Sequence, residues 1–226
     1  MYSLNGGLTL RLSIPGGSHV PSILSSRTRI LSSRTSSAAD AVTSQHNGAS
    51  VKPTVFLDFD DVLAVHQVHN GHRVLDAFAG DGIEVMPELW ASVFDAGARK
   101  NLFALHEEFE PNYVVSSSWA SHLNRDQICE VLSRTGLKFV VENLSEHWCT
   151  PRDSVSGRLS EIEAWLEQHA SEGRATYVII DDHVSGWALL DSWLEDKTVF
   201  CDAWVGFTHP KLRTARKILQ RQLDAR

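Results

Sequence analysis

Five short runs of β-branched and aromatic residues punctuate the chain after Pro53: Thr54–Phe59, Tyr113–Ser116, Lys138–Val141, Tyr177–Ile180 and Thr198–Cys201. Each is almost continuously apolar, with no alternation of polar positions. That is the pattern of a strand covered on both faces. Between them the apolar spacing changes to the helical period. Pro87–Glu108 opens with proline and repeats apolar residues at Leu89, Trp90, Val93, Phe94, Ala98 and Leu102. Asn124–Thr135 stops before Gly136, and Ser160–His169 and Pro210–Leu223 complete the helices. Strands alternating with helices predict an α/β fold: a three-layer, doubly wound parallel sheet of five strands. One interval breaks the alternation. Asn70-Gly71 stands among β-formers in the segment from Val68 to Val74, which predicts a small hairpin after the first strand.

The first 52 residues are of another kind. Residues 1–50 hold twelve Ser and four Thr, and the heptad Ile23-Leu-Ser-Ser-Arg-Thr-Arg29 is nearly repeated at 30–36. So little apolar surface cannot offset chain entropy, and 1–52 is expected to be a disordered Ser/Arg-rich tail before a domain at 53–226. An organellar transit peptide shares that composition and is the alternative reading. No run nears the ~20 apolar residues that span a bilayer, so no membrane association is expected. Three scattered cysteines with no CxxC spacing make neither a disulfide framework nor a zinc site, and a reducing, cytoplasmic setting is the expectation.

Charge narrows the partners. Of 21 basic and 28 acidic residues, five and one fall within 1–52; the body keeps 16 and 27, a formal −11. Such a body repels a phosphate backbone on average, so no strong nucleic-acid surface is expected and a phosphorylated ligand needs a local site.

The chemistry gathers at predicted strand ends. The first strand, Val55-Phe-Leu-Asp-Phe-Asp-Asp-Val-Leu63, runs into Asp58 and Asp60; the second ends in Ser116-Ser117-Ser118; the fourth ends in Asp181-Asp182. Open α/β sheets bind ligands at the carboxyl ends of their strands. With strand order 5-4-1-2-3 these three ends are neighbours. Carboxylates beside hydroxyls suit phosphomonoester hydrolysis. One carboxylate serves as nucleophile, another as acid and base, and a hard divalent cation with oxygen ligands neutralises the phosphate.

On these segments the chain resembles the haloacid dehalogenase-like (HAD) hydrolases, whose first motif, DxDx(T/V)(L/V) after an apolar strand, matches residues 55–63. Ser116–Trp119 resembles the second motif and Val178–Asp182 the fourth. More narrowly it is similar to the HAD domain of Swiss Army Knife RNA-repair proteins, through Ser-Ser-Trp119, the Arg158–Leu166 run, Asp181-Asp182 and Gly206-Phe-Thr-His209. The resemblance implies a Rossmannoid sheet with no large cap, and a Mg²⁺-dependent phosphatase working through an aspartyl-phosphate. Asp58 would be nucleophile and metal ligand. Asp60 would be general acid and base, with its carbonyl toward the metal. Ser117, with Ser118 beside it and Ser116 as the alternative register, would bind phosphate. Arg158, or its competitor Arg152, would be the phosphate cation, and Asp181 and Asp182 further metal ligands. The substrate would be a phosphorylated small molecule or a nucleic-acid end.

Two departures stand out. Asp61 replaces the usual glycine, and Arg158 the usual lysine, whose point charge binds phosphate differently from a planar fork. Asp61 could crowd the turn or add negative charge near the phosphate, which gives a second reading: a weak or inactive phosphate-binding module. A receiver-domain reading needs an Asp after the third strand, where the chain has Val141-Glu-Asn. His66, His69 and His72 are expected to be surface or polar-network residues, His183 an orienting neighbour of Asp182, and Trp119 a core residue.

Overall fold

The computed structural model describes residues 52–80, 87–152, 157–170 and 175–226. The tail expected over 1–52 therefore lies, except for Lys52, outside the described residues. The described residues belong to the compact unit Gly48–Arg226.

Five parallel strands form one sheet: β1 (Thr54–Leu57), β2 (Asn112–Val115), β3 (Leu144–Cys149), β4 (Tyr177–Asp182) and β5 (Thr198–Cys201). Their order is β3-β2-β1-β4-β5, the expected 5-4-1-2-3 read from the other edge. Side chains alternate between faces along a strand. Val55 and Leu57 enter one core with Leu102, Val115, Val178 and Leu219, while Phe56 enters the other with Val114, Ile162, Trp165 and Ile179. Both faces of β1 are buried, which is why its sequence is apolar without a break.

Helices cover both faces. They are α1 (Gly71–Ala79), α2 (Pro87–Ser92), α3 (Ala96–Phe109), α4 (Arg125–Arg134), α5 (Lys138–Glu142), α6 (Arg158–His169) and α7 (His209–Asp224). Helix α6 packs on the Phe56 side; α3, α4 and α7 pack on the Val55 side. Among the described residues, the stretch between β1 and β2 contributes α1, α2 and α3 and no separate cap domain. Also among them, no helix is long and apolar enough to cross a membrane.

Three expectations are corrected. The segment 68–74 is not a hairpin: Asn70 caps α1, its side chain accepting the Arg73 N–H at 3.4 Å. Gly71 carries no turn conformation; a Cβ there would stand 2.9 Å from the Trp119 ring, so glycine lets helix and indole approach. The single helix at Pro87–Glu108 is two. Asp95 ends the first by donating its N–H to Leu63 O (2.7 Å) and caps the second by accepting the Ala98 N–H (2.8 Å). The third strand is not Lys138–Val141. Gly136 turns at φ 82 after α4, and 138–142 continues as α5 with Val140 buried; the strand follows at 144–149.

Candidate active site

Strand register decides what meets at the carboxyl edge. Leu57 stands level with Val115 on one side and Ile180 on the other. The next residue of each strand is then Asp58, Ser116 and Asp181. Hydrogen bonds lock this alignment: the Asp58 N–H donates to Ile180 O (3.0 Å) and the Ser116 N–H to Leu57 O (2.9 Å).

The carboxylates of Asp58, Asp181 and Asp182 lie within 4.8 Å of one another, all three buried. Burial raises the Asp58 carboxyl well above the usual carboxylate range, and nearby Asp181 raises it further, against the pull of Arg158. Asp181 is pushed up to about 7, again chiefly by burial, with Arg158 opposing. Asp182 is held by its own loop: its Oδ1 accepts the N–H groups of Val184 (2.5 Å) and Ser185 (3.0 Å).

Arg158, at the start of α6, closes the cluster. It donates from Nε to Asp181 (2.6 Å), from Nη1 to Glu161 (3.1 Å) and from Nη2 to Asp58 (3.3 Å). A guanidinium has five N–H donors, so two remain for a ligand. Arg152 stands one shell out, on Ser121 (3.0 Å) and on the same Glu161 oxygen that Arg158 bonds (3.5 Å). Of the two candidate cations, Arg158 is the one that touches Asp58. Glu161 escaped sequence reasoning, although its place three residues after Arg158 on a helix is a pairing signal.

Orphaned polar atoms mark where a ligand would sit. Asp58 Oδ2 and Ser116 Oγ are buried with no hydrogen-bond partner; Ser117 Oγ makes none of good geometry either, but stands close enough to Asp58 to favour its charged form. A hard divalent cation fits this donor set: three buried carboxylates, all oxygen, with a free oxygen on Asp58. Ser116 and Ser117 keep their hydroxyls buried at this strand end. Ser118 is different, because its hydroxyl donates to Asp60 (3.3 Å).

The side chain of Asp60 is not among the clustered carboxylates. Its Oδ2 accepts from Trp119 Nε1 at 3.0 Å as well as from Ser118. Burial raises its pKa; those two hydrogen bonds restrain the rise. Trp119 is 5% exposed and packs edge-on against Phe59, with Phe94 beside it. The expected core tryptophan therefore also holds Asp60.

Asp61 fits the turn, and its charge stands near Asp60: both line one cavity, and Asp61 adds to the rise that burial gives the Asp60 carboxyl. It adopts the left-handed φ of 54 that glycine would take, and the hydrogen bonds of Leu63 and Ala64 to Phe59 O close the turn. Aspartate tolerates this region better than most residues. Its Oδ1 accepts the N–H of Trp204 at 2.8 Å. Trp204 is left-handed too, with φ 64, which costs of order 1–2 kcal/mol for a residue of its kind. Gly206 beside it is required, since a Cβ would meet Val65 Cγ1 at 2.7 Å.

The histidines lie apart from the carboxylate cluster. His183 stacks on Phe200 and sits 3.6 Å from Asp202, so it does not orient Asp182. His69 bonds Ser92. His66 and His72, together with His122, line a cavity described below.

One family model matches residues 54–212; its description reads "HAD domain in Swiss Army Knife RNA repair proteins". No curated protein and no solved structure matches the chain.

Proposed function

Because the chain belongs to the HAD-domain family of Swiss Army Knife RNA repair proteins, and so to the HAD-type hydrolases, we propose that it is a Mg²⁺-dependent phosphatase acting on a terminal phosphate of a nucleotide or nucleic-acid end. The observation that carries this reading is the buried trio Asp58, Asp181 and Asp182 within 4.8 Å, with Arg158 paired to Asp58 and Asp181 and the Ser117 hydroxyl beside Asp58.

Asp58 Oδ2, which carries no hydrogen bond, attacks phosphorus. The bond from phosphorus to the leaving oxygen breaks, and Asp60 delivers its proton to that oxygen. The upward direction of the Asp60 shift, from burial, favours the protonated form that a general acid needs. The product is an aspartyl-phosphate on Asp58. Asp60, now a carboxylate, takes a proton from water; the water attacks phosphorus, and inorganic phosphate and free Asp58 result. Ser117 and the two spare N–H groups of Arg158 bind the other phosphate oxygens. Asp58, Asp181 and Asp182, with the main-chain carbonyl of Asp60, would hold Mg²⁺, which neutralises phosphate charge so that a carboxylate can approach.

The alternative of an inactive binding module drew its motive from Asp61. That carboxylate is engaged by the Trp204 N–H, which supports the active reading, and phosphate-analogue binding with no turnover would support the alternative. The test is phosphate release from phosphorylated oligonucleotides, nucleotides and p-nitrophenyl phosphate. Release should require Mg²⁺ and vanish in Asp58→Asn. Turnover that survives that substitution would overturn the mechanism.

A further inference from the structure

The geometry points to Trp204 as the residue that selects a nucleobase in the leaving group, an inference that rests on the phosphatase reading above. A general acid stands beside the oxygen it protonates, so the leaving group must lie on the Asp60 side of the phosphate. On that side is a cavity of about 390 Å³. Asp60, Trp119, His66, His72, His122 and Trp204 contribute to its walls. It is large enough for a nucleoside, at the lower end of small-ligand pockets.

Its walls differ in what they offer. Trp119 is spent on the core and on Asp60, whereas Trp204 is 61% exposed and no ring contact engages it among the described residues. An exposed indole over a pocket costs solvation that a stacked planar ring recovers. The backbone that presents it is fixed at both ends. Asp61 accepts its N–H, and the Phe207 N–H donates to Val62 O at 2.9 Å, so the loop after β5 is tied to the same turn that carries Asp60. Left-handed backbone at an exposed tryptophan is tolerated where it serves a purpose. The rings of His66, His72 and His122 make no hydrogen bond among the described residues. They give the cavity donors and acceptors, which the polar edge of a base can use and a plain phenyl ring cannot. A phosphate ester of an aliphatic alcohol would leave Trp204 uncovered.

The test compares two ligands that share sugar and phosphate and differ only in the base: adenosine 5′-monophosphate and ribose 5-phosphate. Binding is measured calorimetrically to full-length Asp58→Asn protein in Mg²⁺, alone and combined with Trp204→Ala or Trp204→Phe. The nucleotide should bind about 10-fold tighter, in line with base-on-aromatic stacking. Trp204→Ala should erase most of that ratio and leave ribose 5-phosphate unchanged; Trp204→Phe, which keeps a ring, should retain most of it. Equal affinities, no binding of either ligand, or equal weakening of both by Trp204→Ala would overturn the assignment. Failure of the phosphatase reading shows separately, as absence of phosphate release by the unsubstituted chain.

Discussion

Trp119 Nε1 donates a 3.0 Å hydrogen bond to Asp60 Oδ2, so one side chain joins the core to the proposed acid. The indole packs against Phe59 and Phe94, which hold its N–H in place, and Gly71 gives it room. Trp119→Phe keeps a ring in the core and deletes the donor. The bond favours the charged form of Asp60, so its loss raises an already raised pKa. Two results are expected. The value of kcat/KM falls by about 10-fold, part of the 10²–10⁴ that general acid catalysis supplies. The alkaline limb of its pH profile, where Asp60 loses its proton, moves to higher pH. An unmoved limb would show that the hydrogen bond does not tune Asp60.

Asp58→Asn separates chemistry from stability. The proposed nucleophile is gone, so turnover should fall by at least ~10³-fold. Yet a buried carboxylate beside Asp181 is held in its charged form only at a cost. Removing that charge relieves the crowding, while Arg158 keeps Asp181 and Glu161 as partners. Thermal unfolding at pH 8 without Mg²⁺ should show a Tm equal to or above that of the unsubstituted protein. A large drop would mean that Asp58–Arg158 pairing outweighs the burial cost.

Much of this site was legible in the sequence because the acids terminate apolar runs. The strand ends at Asp58, Ser116 and Asp181 follow from β-branched stretches buried on both faces, and register does the rest. What was not legible depends on contacts between distant segments. Asn70-Gly71 carries a hairpin signal, but its glycine answers to the Trp119 ring, 48 positions later. The edge strand Leu144–Cys149 is half-exposed and polar, so it lacks the apolar run that marks a covered strand. Trp204 gave no local signal, since its link to Asp61 spans 143 residues.

Arg158 and Arg152 should differ sharply. Arg158→Ala leaves Asp58, Asp181 and Glu161 buried together with their shared cation removed. Breaking a buried ion pair from one side costs about 3–5 kcal/mol. Arg152 is partly exposed and pairs at 3.5 Å, so Arg152→Ala should cost no more than about 1 kcal/mol. Urea unfolding in Mg²⁺-free buffer gives both values; equal costs would return Arg152 to contention as the principal cation of the site.

If the proposed Mg²⁺ site is the Asp58, Asp181 and Asp182 cluster, protons and Mg²⁺ compete for the same carboxylates, and the metal's effect depends on pH. In the folded, metal-free protein Asp58 and Asp181 hold protons more tightly than an unfolded chain does, Asp181 up to about 7. Between the ordinary carboxylate value, near 3.9, and about 7, the folded state thus binds more protons than the unfolded one. Stability from this source is present below about pH 4 and is lost as pH rises toward 7. Above that range Asp181 is charged beside the other carboxylates of the cluster, and that is where a divalent cation has most to offset. The Tm gained on adding Mg²⁺ should be several degrees at pH 8 and should shrink toward zero at pH 5. Asp181→Asn should abolish most of the gain at pH 8. A gain that is the same at both pH values, or that survives Asp181→Asn, would place the cation elsewhere on the protein.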